Sequence, residues 1–125
     1  MAEEKLKVIL KAEELAEHTL RVTSNCNVYP KKYRFSLVDK MQNKALEIYM
    51  YLYEANRTDL KVYGRERLEL WTKAITHCDE LLFFIELSQK LGIINSRRTE
   101  YWSKNVADVK HMTIALRTSD KARMK

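Results

Sequence analysis

Aromatic rings and cations interleave in one short stretch of the chain, Tyr29-Pro30-Lys31-Lys32-Tyr33-Arg34-Phe35. Rings beside bases suit single-stranded nucleic acid, because a base can stack on an aromatic face while a neighbouring ammonium or guanidinium neutralises its phosphate. Rings at a hinge also serve to plug the open end of a helical bundle. Sequence leaves both uses open: Tyr29, Tyr33 and Phe35 are candidates for stacking, and Tyr33 and Phe35 are candidates for plugging.

Residue types that could do other chemistry do not assemble. His18, His77 and His111 fall in three different helical segments, and the neighbours His77 and Cys78 would point about 100° apart on a helix, which is wrong for joint ligation of one metal. There is no H-E-x-x-H, no C-x-x-C, and no Glu-x-x-His of the kind that builds a di-metal site inside a bundle. Cys78 lies on an apolar stripe and reads as a small buried hydrophobe. Without a paired acid and base, a nucleophile or a ligand cluster, the expectation is a non-catalytic protein with no cofactor and no metal.

The elements that must position the hinge are helices. The 125 residues contain one Pro and two Gly, which leaves few tight turns and favours long uninterrupted helices. A first helix is expected over about Glu4 to Thr23, with Ile9, Ala12, Ala16, Leu20 and Thr23 on one face beside Leu6 and Leu15. Ser24, Asn25, Asn27 and Pro30 end it. A second, Ser36 to about Asn56, opens with Ser36 and Asp39 in a capping-box arrangement and carries the stripe Val38, Met41, Ala45, Ile48, Leu52 and Ala55 at spacing 3, 4, 3, 4, 3. Leu46, Met50 and Tyr53, with Tyr49 between the rows, widen its apolar face beyond one seam, the mark of either a deeply inserted helix or an oligomer interface.

A third helix, from Gly64 or already from Thr58 to Leu91, repeats the period through Leu68, Trp71, Ile75, Cys78, Leu82 and Ile85. Gly92 is its natural left-handed terminator, with Ile93 and Ile94 free to fold back. A fourth starts near Asn95 or Ser96 and carries Trp102, Val106, Val109, Thr113 and Leu116. Short connections between four such helices specify an all-α, antiparallel up-down-up-down four-helix bundle over residues 1–118, followed by a short basic tail, 119–125, expected to be frayed. No apolar run has the length of a bilayer span, and residues 1–20 lack a signal peptide's apolar centre. Two cysteines far apart in sequence make no disulfide framework. These features lead to the expectation of a soluble, cytoplasmic protein.

The formal charge is +6 at pH 7, and it is unevenly placed. Residues 1–20 carry five acids and three bases, so the rest holds 20 bases against 12 acids. In an antiparallel bundle, Arg21, Lys31, Lys32 and Arg34 share an end with Lys90, Arg97 and Arg98. Seven cations at one end would attract polyanions through counterion release. Arg97 and Arg98 open a helix, where the dipole disfavours cations and an anion would be welcome. For Arg98 there is also a structural use, an internal ion pair with an acid such as Asp39. At the opposite end, Arg57, Lys61, Arg65 and Arg67 meet Arg117, Lys121, Arg123 and Lys125, which suggests a long basic contact path.

Several of these segments together resemble a family, the four-helix-bundle accessory variability determinants of diversity-generating retroelements. The resemblance rests on Tyr29-Pro30-Lys31 through Arg34-Phe35-Ser36-Leu37-Val38-Asp39-Lys40, on Leu91-Gly92-Ile93-Ile94-Asn95-Ser96-Arg97-Arg98 with Glu100-Tyr101-Trp102, and on Arg65 to Leu87 with Leu68-Glu69 and Asp79-Glu80-Leu81-Leu82. It spans about residues 5–117. Related bundles encoded in ribosomal RNA intervening sequences carry a Ser-Ile-Pro-x-Asn-Ile-Ala-Glu-Gly-like segment in helix two. Lys44-Ala45-Leu46-Glu47-Ile48-Tyr49 stands in its place here and favours the retroelement branch. The resemblance implies a ring-shaped homopentamer that binds the element's reverse transcriptase, RNA and DNA during mutagenic copying, with the polymerase carrying the chemistry. By position it gives a contact role to Lys31, Lys32, Arg34, Arg97 and Arg98. A structural oligomer or protein-interaction adaptor remains the alternative.

Overall fold

A computed structural model describes residues 2–124 as four helices: α1 (Ala2–Ser24), α2 (Asp39–Arg57), α3 (Leu60–Lys90) and α4 (Ser96–Arg123). Each helix packs on its sequence neighbours, and α1 also packs on α4, which closes the all-α antiparallel bundle that the short connections demand.

The apolar stripe of α2 is buried as its spacing requires, Met41, Ala45, Ile48, Leu52 and Ala55 all facing the core, with Leu37 and Val38 buried just before them. On α4 the buried row is Thr99, Trp102, Val106, Val109, Thr113, Leu116 and Asp120, an unbroken alternation of three and four. α3 differs from expectation. Trp71, Cys78 and Ile85 are buried, but their companions are Arg67, Ala74, Leu81 and Ser88, while Leu68, Ile75 and Leu82 stand on the flank, half-buried. Both sets share the same three anchors, and it is their companions that differ by one residue, about 100° around the helix. The small Ala74 and Ser88 let neighbouring helices approach, and the paired Arg67 can occupy a position that looks polar in sequence. On α1 the core takes Val8, Ile9, Ala12, Leu15, Ala16, Thr19, Val22 and Thr23; Leu6 is exposed and Leu20 half-buried.

The helix ends explain the topology locally. The α3 to α4 turn is a Schellman motif: Ile93 N–H donates to the Ser88 carbonyl and Gly92 N–H to that of Gln89, both at 2.9 Å, with Gly92 at φ 77°. Ile94 is buried behind it and Ile93 packs against the core. Asn95 caps α4, its side-chain oxygen accepting from Arg98 N–H at 2.8 Å. Asp59 caps α3 through Lys61 N–H at 2.7 Å, so the helix starts at Leu60, two residues after Thr58, and a non-helical Tyr63 (φ −123°, ψ 41°) kinks it just before Gly64, which is not its start.

Two local expectations are corrected. Ser36 does not cap α2: the helical path already begins with a 3-10 turn, Lys31–Tyr33, and a π-helical turn, Arg34–Val38, so Ser36 lies exposed inside a wound segment and makes no capping bond. Nor do residues 119–123 fray. α4 continues to Arg123, because Asp120 is drawn fully into the bundle, where its Oδ2 accepts from Arg67 Nε and Trp71 Nε1, each at 2.7 Å. Arg67 also donates to the Thr58 carbonyl at 2.8 Å, tying the α2 to α3 turn to the end of α4. At the same end Met124 lies over Gly64, where a Cβ would stand 2.8 Å from the Met124 methyl. Lys125 lies outside the described residues.

Candidate nucleic-acid interface

The α1 to α2 and α3 to α4 connections lie at one end of the bundle, and the side chains confirm their proximity. Tyr29, from the hinge, sits edge-on to Trp102 of α4 at 6.4 Å between ring centres, and Ser88 of α3 lies 3.9 Å from the Met41 sulfur of α2. All seven sequence-selected cations, Arg21, Lys31, Lys32, Arg34, Lys90, Arg97 and Arg98, therefore belong to this end. They are not equivalent. Arg21 pairs with Glu17 on the surface of α1 at 2.7 Å, and Lys32 lies over the Tyr33 ring at 5.2 Å. Lys31, Arg34, Lys90 and Arg97 are exposed and, among the described residues, have no ion-pair partner.

Arg98 does not pair with Asp39. Its charge acts instead on His18 and Tyr29, and Asp39 is exposed at the start of α2. The direction is set by the winding of α4: the Asn95 cap leaves Arg98 half-buried beside the α1 helix rather than over α2. Burial, helped by the Arg98 guanidinium, lowers the pKa of His18, which stacks edge-on against Tyr101 and Trp102.

The three hinge rings divide their roles. Tyr29 is the plug, 2% exposed, and burial raises its phenol against the opposing pull of Ser88 and Arg98. That removes it from the stacking candidates, because both faces of its ring are inside the bundle. Tyr33 is half-buried against the core and has Lys32 over its ring. Phe35 does the opposite of plugging: it is 79% exposed, the most exposed large hydrophobic side chain among the described residues. The π-helical turn permits this by turning Leu37 and Val38 inward while Phe35 faces solvent.

Phe35 lines a cleft of about 430 Å³ together with Thr23, Ser24, Cys26, Tyr29, Pro30, Lys31, Arg34, Val38, Asp39 and Gln42. Sequence reasoning found the cations and rings of this cleft but missed its polar wall. Gln42 Nε2 donates to Thr23 Oγ1 at 2.9 Å and to Ser24 Oγ at 3.2 Å, fastening α2 to the end of α1. The available signal is the polar run Thr23-Ser24-Asn25, in which Thr23 reads as part of the inner face of the first helix and Ser24 and Asn25 as its stop.

The opposite end is less free than its composition suggests. Arg67 is buried in the ion pair with Asp120, Arg57 packs on Tyr53, Arg117 donates to Thr72 at 2.8 Å, and Arg123 stands 3.8 Å from Asp120. A second cleft, between α2 and α3, sets Lys40 and Lys44 against three carboxylates, Glu47, Asp79 and Glu80, so it has no surplus of positive charge. There His77 lies within 3.1 Å of Glu47 and 3.2 Å of Glu80 and stacks on Tyr51, while Cys78 points into the core. Among the described residues no group of three or more His, Cys, Asp or Glu could hold a metal ion, and no helix is long and apolar enough to cross a membrane.

Burial pushes the Cys78 thiol up to about 12, whereas Cys26 is exposed. Native protein treated with iodoacetamide at pH 8 is expected to be alkylated at Cys26 alone, with Cys78 reacting only after denaturation; peptide mass mapping reads the result. The shift also has a sign for stability. The unfolded thiol ionises from about pH 9 and the folded one does not until about pH 12, so this group costs stability progressively across that window, roughly 1.4 kcal/mol per pH unit at most.

No family model matches the chain, and no curated protein matches it. Among solved structures, the chain is similar to a protein of unknown function from the S23 ribosomal protein family of Bacteroides thetaiotaomicron VPI-5482. The two superpose with a TM-score of 0.81 over 92% of this chain and 98% of that one, at 13% sequence identity. The likeness is one of fold: both chains are the same kind of helical bundle over nearly their whole length.

Proposed function

We propose that this protein is a non-catalytic accessory subunit that binds RNA and DNA through the basic hinge end of the bundle, and that its partner is the reverse transcriptase of a diversity-generating retroelement. The observation that carries the nucleic-acid reading is the set of exposed cations that have no ion-pair partner among the described residues, Lys31, Arg34, Lys90 and Arg97, gathered at one end from three separate segments. The polymerase partner rests on the sequence resemblance, which includes both segments that build this end. The test is binding of the full chain to RNA and DNA across a salt series, with co-purification alongside a reverse transcriptase encoded next to its gene. Affinity that falls steeply with salt supports the reading. No binding at 50 mM salt, or no association with the polymerase, removes the corresponding half.

The accessory role includes assembly into a closed homo-oligomer, a pentamer on the family's pattern. Leu46, Met50 and Tyr53 remain exposed on α2, Tyr53 meeting Tyr49 and Arg57 of its own helix, so the second apolar row stays at the surface of the bundle. The Gln42 bonds fix the antiparallel register of α1 and α2, which sets the exposed Leu10 level with the C-terminal end of α2. A second copy of the chain is the natural cover for such a strip. Light scattering is expected to give five subunits, and Leu46→Glu with Met50→Glu is expected to yield folded monomers. A wild-type monomer at micromolar concentration would remove the ring.

A second reading is a structural oligomer or interaction adaptor whose cations meet an acidic protein surface. Salt-dependent binding to protein-free RNA and DNA separates the two.

A further inference from the structure

We propose that the hinge cleft is a seat for one unpaired nucleotide, with Phe35 as the stacking platform and Lys31 and Arg34 as the phosphate contacts. The proposal rests on the nucleic-acid reading above and specifies where and how a single strand is held.

Phe35 is the first ground. An aromatic side chain left 79% exposed on a wound, ordered segment loses the benefit of burial, and here the core has already been closed by Tyr29. The second ground is what surrounds it. Lys31 and Arg34 line the same cleft and have no acidic partner among the described residues, so a ring and two cations converge within one nucleotide's reach. A volume of about 430 Å³ accommodates a base with its sugar but not a duplex.

The third ground is the polar wall. Gln42 spends its amide nitrogen on Thr23 and Ser24, which leaves its amide oxygen for a donor in the cleft, and the Asp39 carboxylate adds a second acceptor. These acceptors suit the amino and imino edge of a base. They repel a phosphate, which places the phosphate at the Lys31 and Arg34 side. Base pairing hides both the ring face and that edge, so the cleft selects single strands.

The test uses full-length protein with fluorescein-labelled dT12, rU12 and a 12-base-pair DNA duplex, read by anisotropy between 50 and 200 mM salt. Phe35→Ala is expected to weaken dT12 and rU12 about 5- to 100-fold, to leave duplex affinity and the salt slope unchanged, and to melt like wild type; Phe35→Tyr is expected to retain binding. Lys31→Glu with Arg34→Glu should weaken all three probes and flatten the slope. If Phe35→Ala binds dT12 and rU12 as wild type does, or loses single strands and duplex equally, the stacking seat is overturned and the basic-end reading stands. If wild type binds none of the probes, that reading fails first and the seat fails with it.

Discussion

Replacing Asp120 with Ala is expected to destabilise the folded chain by about 3–5 kcal/mol, the largest loss from any single substitution outside the apolar core. The carboxylate is wholly buried, and it accepts from both Arg67 Nε and Trp71 Nε1 at 2.7 Å. Truncation leaves a guanidinium 4% exposed with one bond, to the Thr58 carbonyl, and an indole N–H with none. An unpaired charge at that depth costs far more than the lost pair was worth. The comparison that isolates this cause is the double replacement Arg67→Met with Asp120→Leu, which removes both charges and keeps apolar volume. It is expected to recover most of the loss in urea unfolding. If Asp120→Ala unfolds at the wild-type midpoint, the cluster contributes nothing and α4 does not need its last turn.

This cluster also shows where sequence reasoning stops. The stripe of α2 could be read directly because it is apolar without a break from Val38 to Ala55, whereas the row of Leu46, Met50 and Tyr53 begins only halfway along the helix. α3 offered two registers sharing Trp71, Cys78 and Ile85, and counting apolar residues favours Leu68, Ile75 and Leu82. The core instead takes Arg67, Ala74 and Leu81, because a buried Arg is allowed once Asp120 comes to meet it. Asp120 follows Leu116 by four residues and so continues the α4 stripe, but the local run Ser119-Asp120-Lys121 looks like a solvated tail. Only the pairing of two positions 53 residues apart resolves the ambiguity. Neither half is informative alone.

At the basic end, the grouping of seven cations followed from topology and was legible, whereas their separate states were not. Which bases stay free depends on side-chain geometry: Glu17 reaches Arg21, Lys32 settles on Tyr33, and Arg98 turns toward His18. The rings were harder still. Tyr29, Tyr33 and Phe35 lie within seven residues, and a 3-10 turn followed by a π turn decides which of them faces inward. Neither winding follows from residue type.

The free cations lead to the second large effect. The variant Lys31→Glu, Arg34→Glu, Lys90→Glu and Arg97→Glu is expected to lose about 10²- to 10³-fold in affinity for single-stranded RNA or DNA near 0.1 M salt, and to flatten the salt slope by about 2.8, which is 0.7 for each of four phosphate contacts. The loss should be uniform across base sequence, since phosphate contacts position a strand without reading it. All four side chains are exposed and, among the described residues, outside any ion pair, so the fold should survive, and the helical circular-dichroism signal and melting midpoint check that it does. Lys61→Glu, Arg65→Glu and Lys121→Glu at the opposite end form the matching control, because they are also exposed and change the charge by six units against eight. If binding follows total charge, the two variants will weaken it in nearly that proportion, and the hinge end has no special role. If binding follows the site, the hinge variant alone will flatten the slope, and a reverse transcriptase that still associates with it must dock on another face of the bundle.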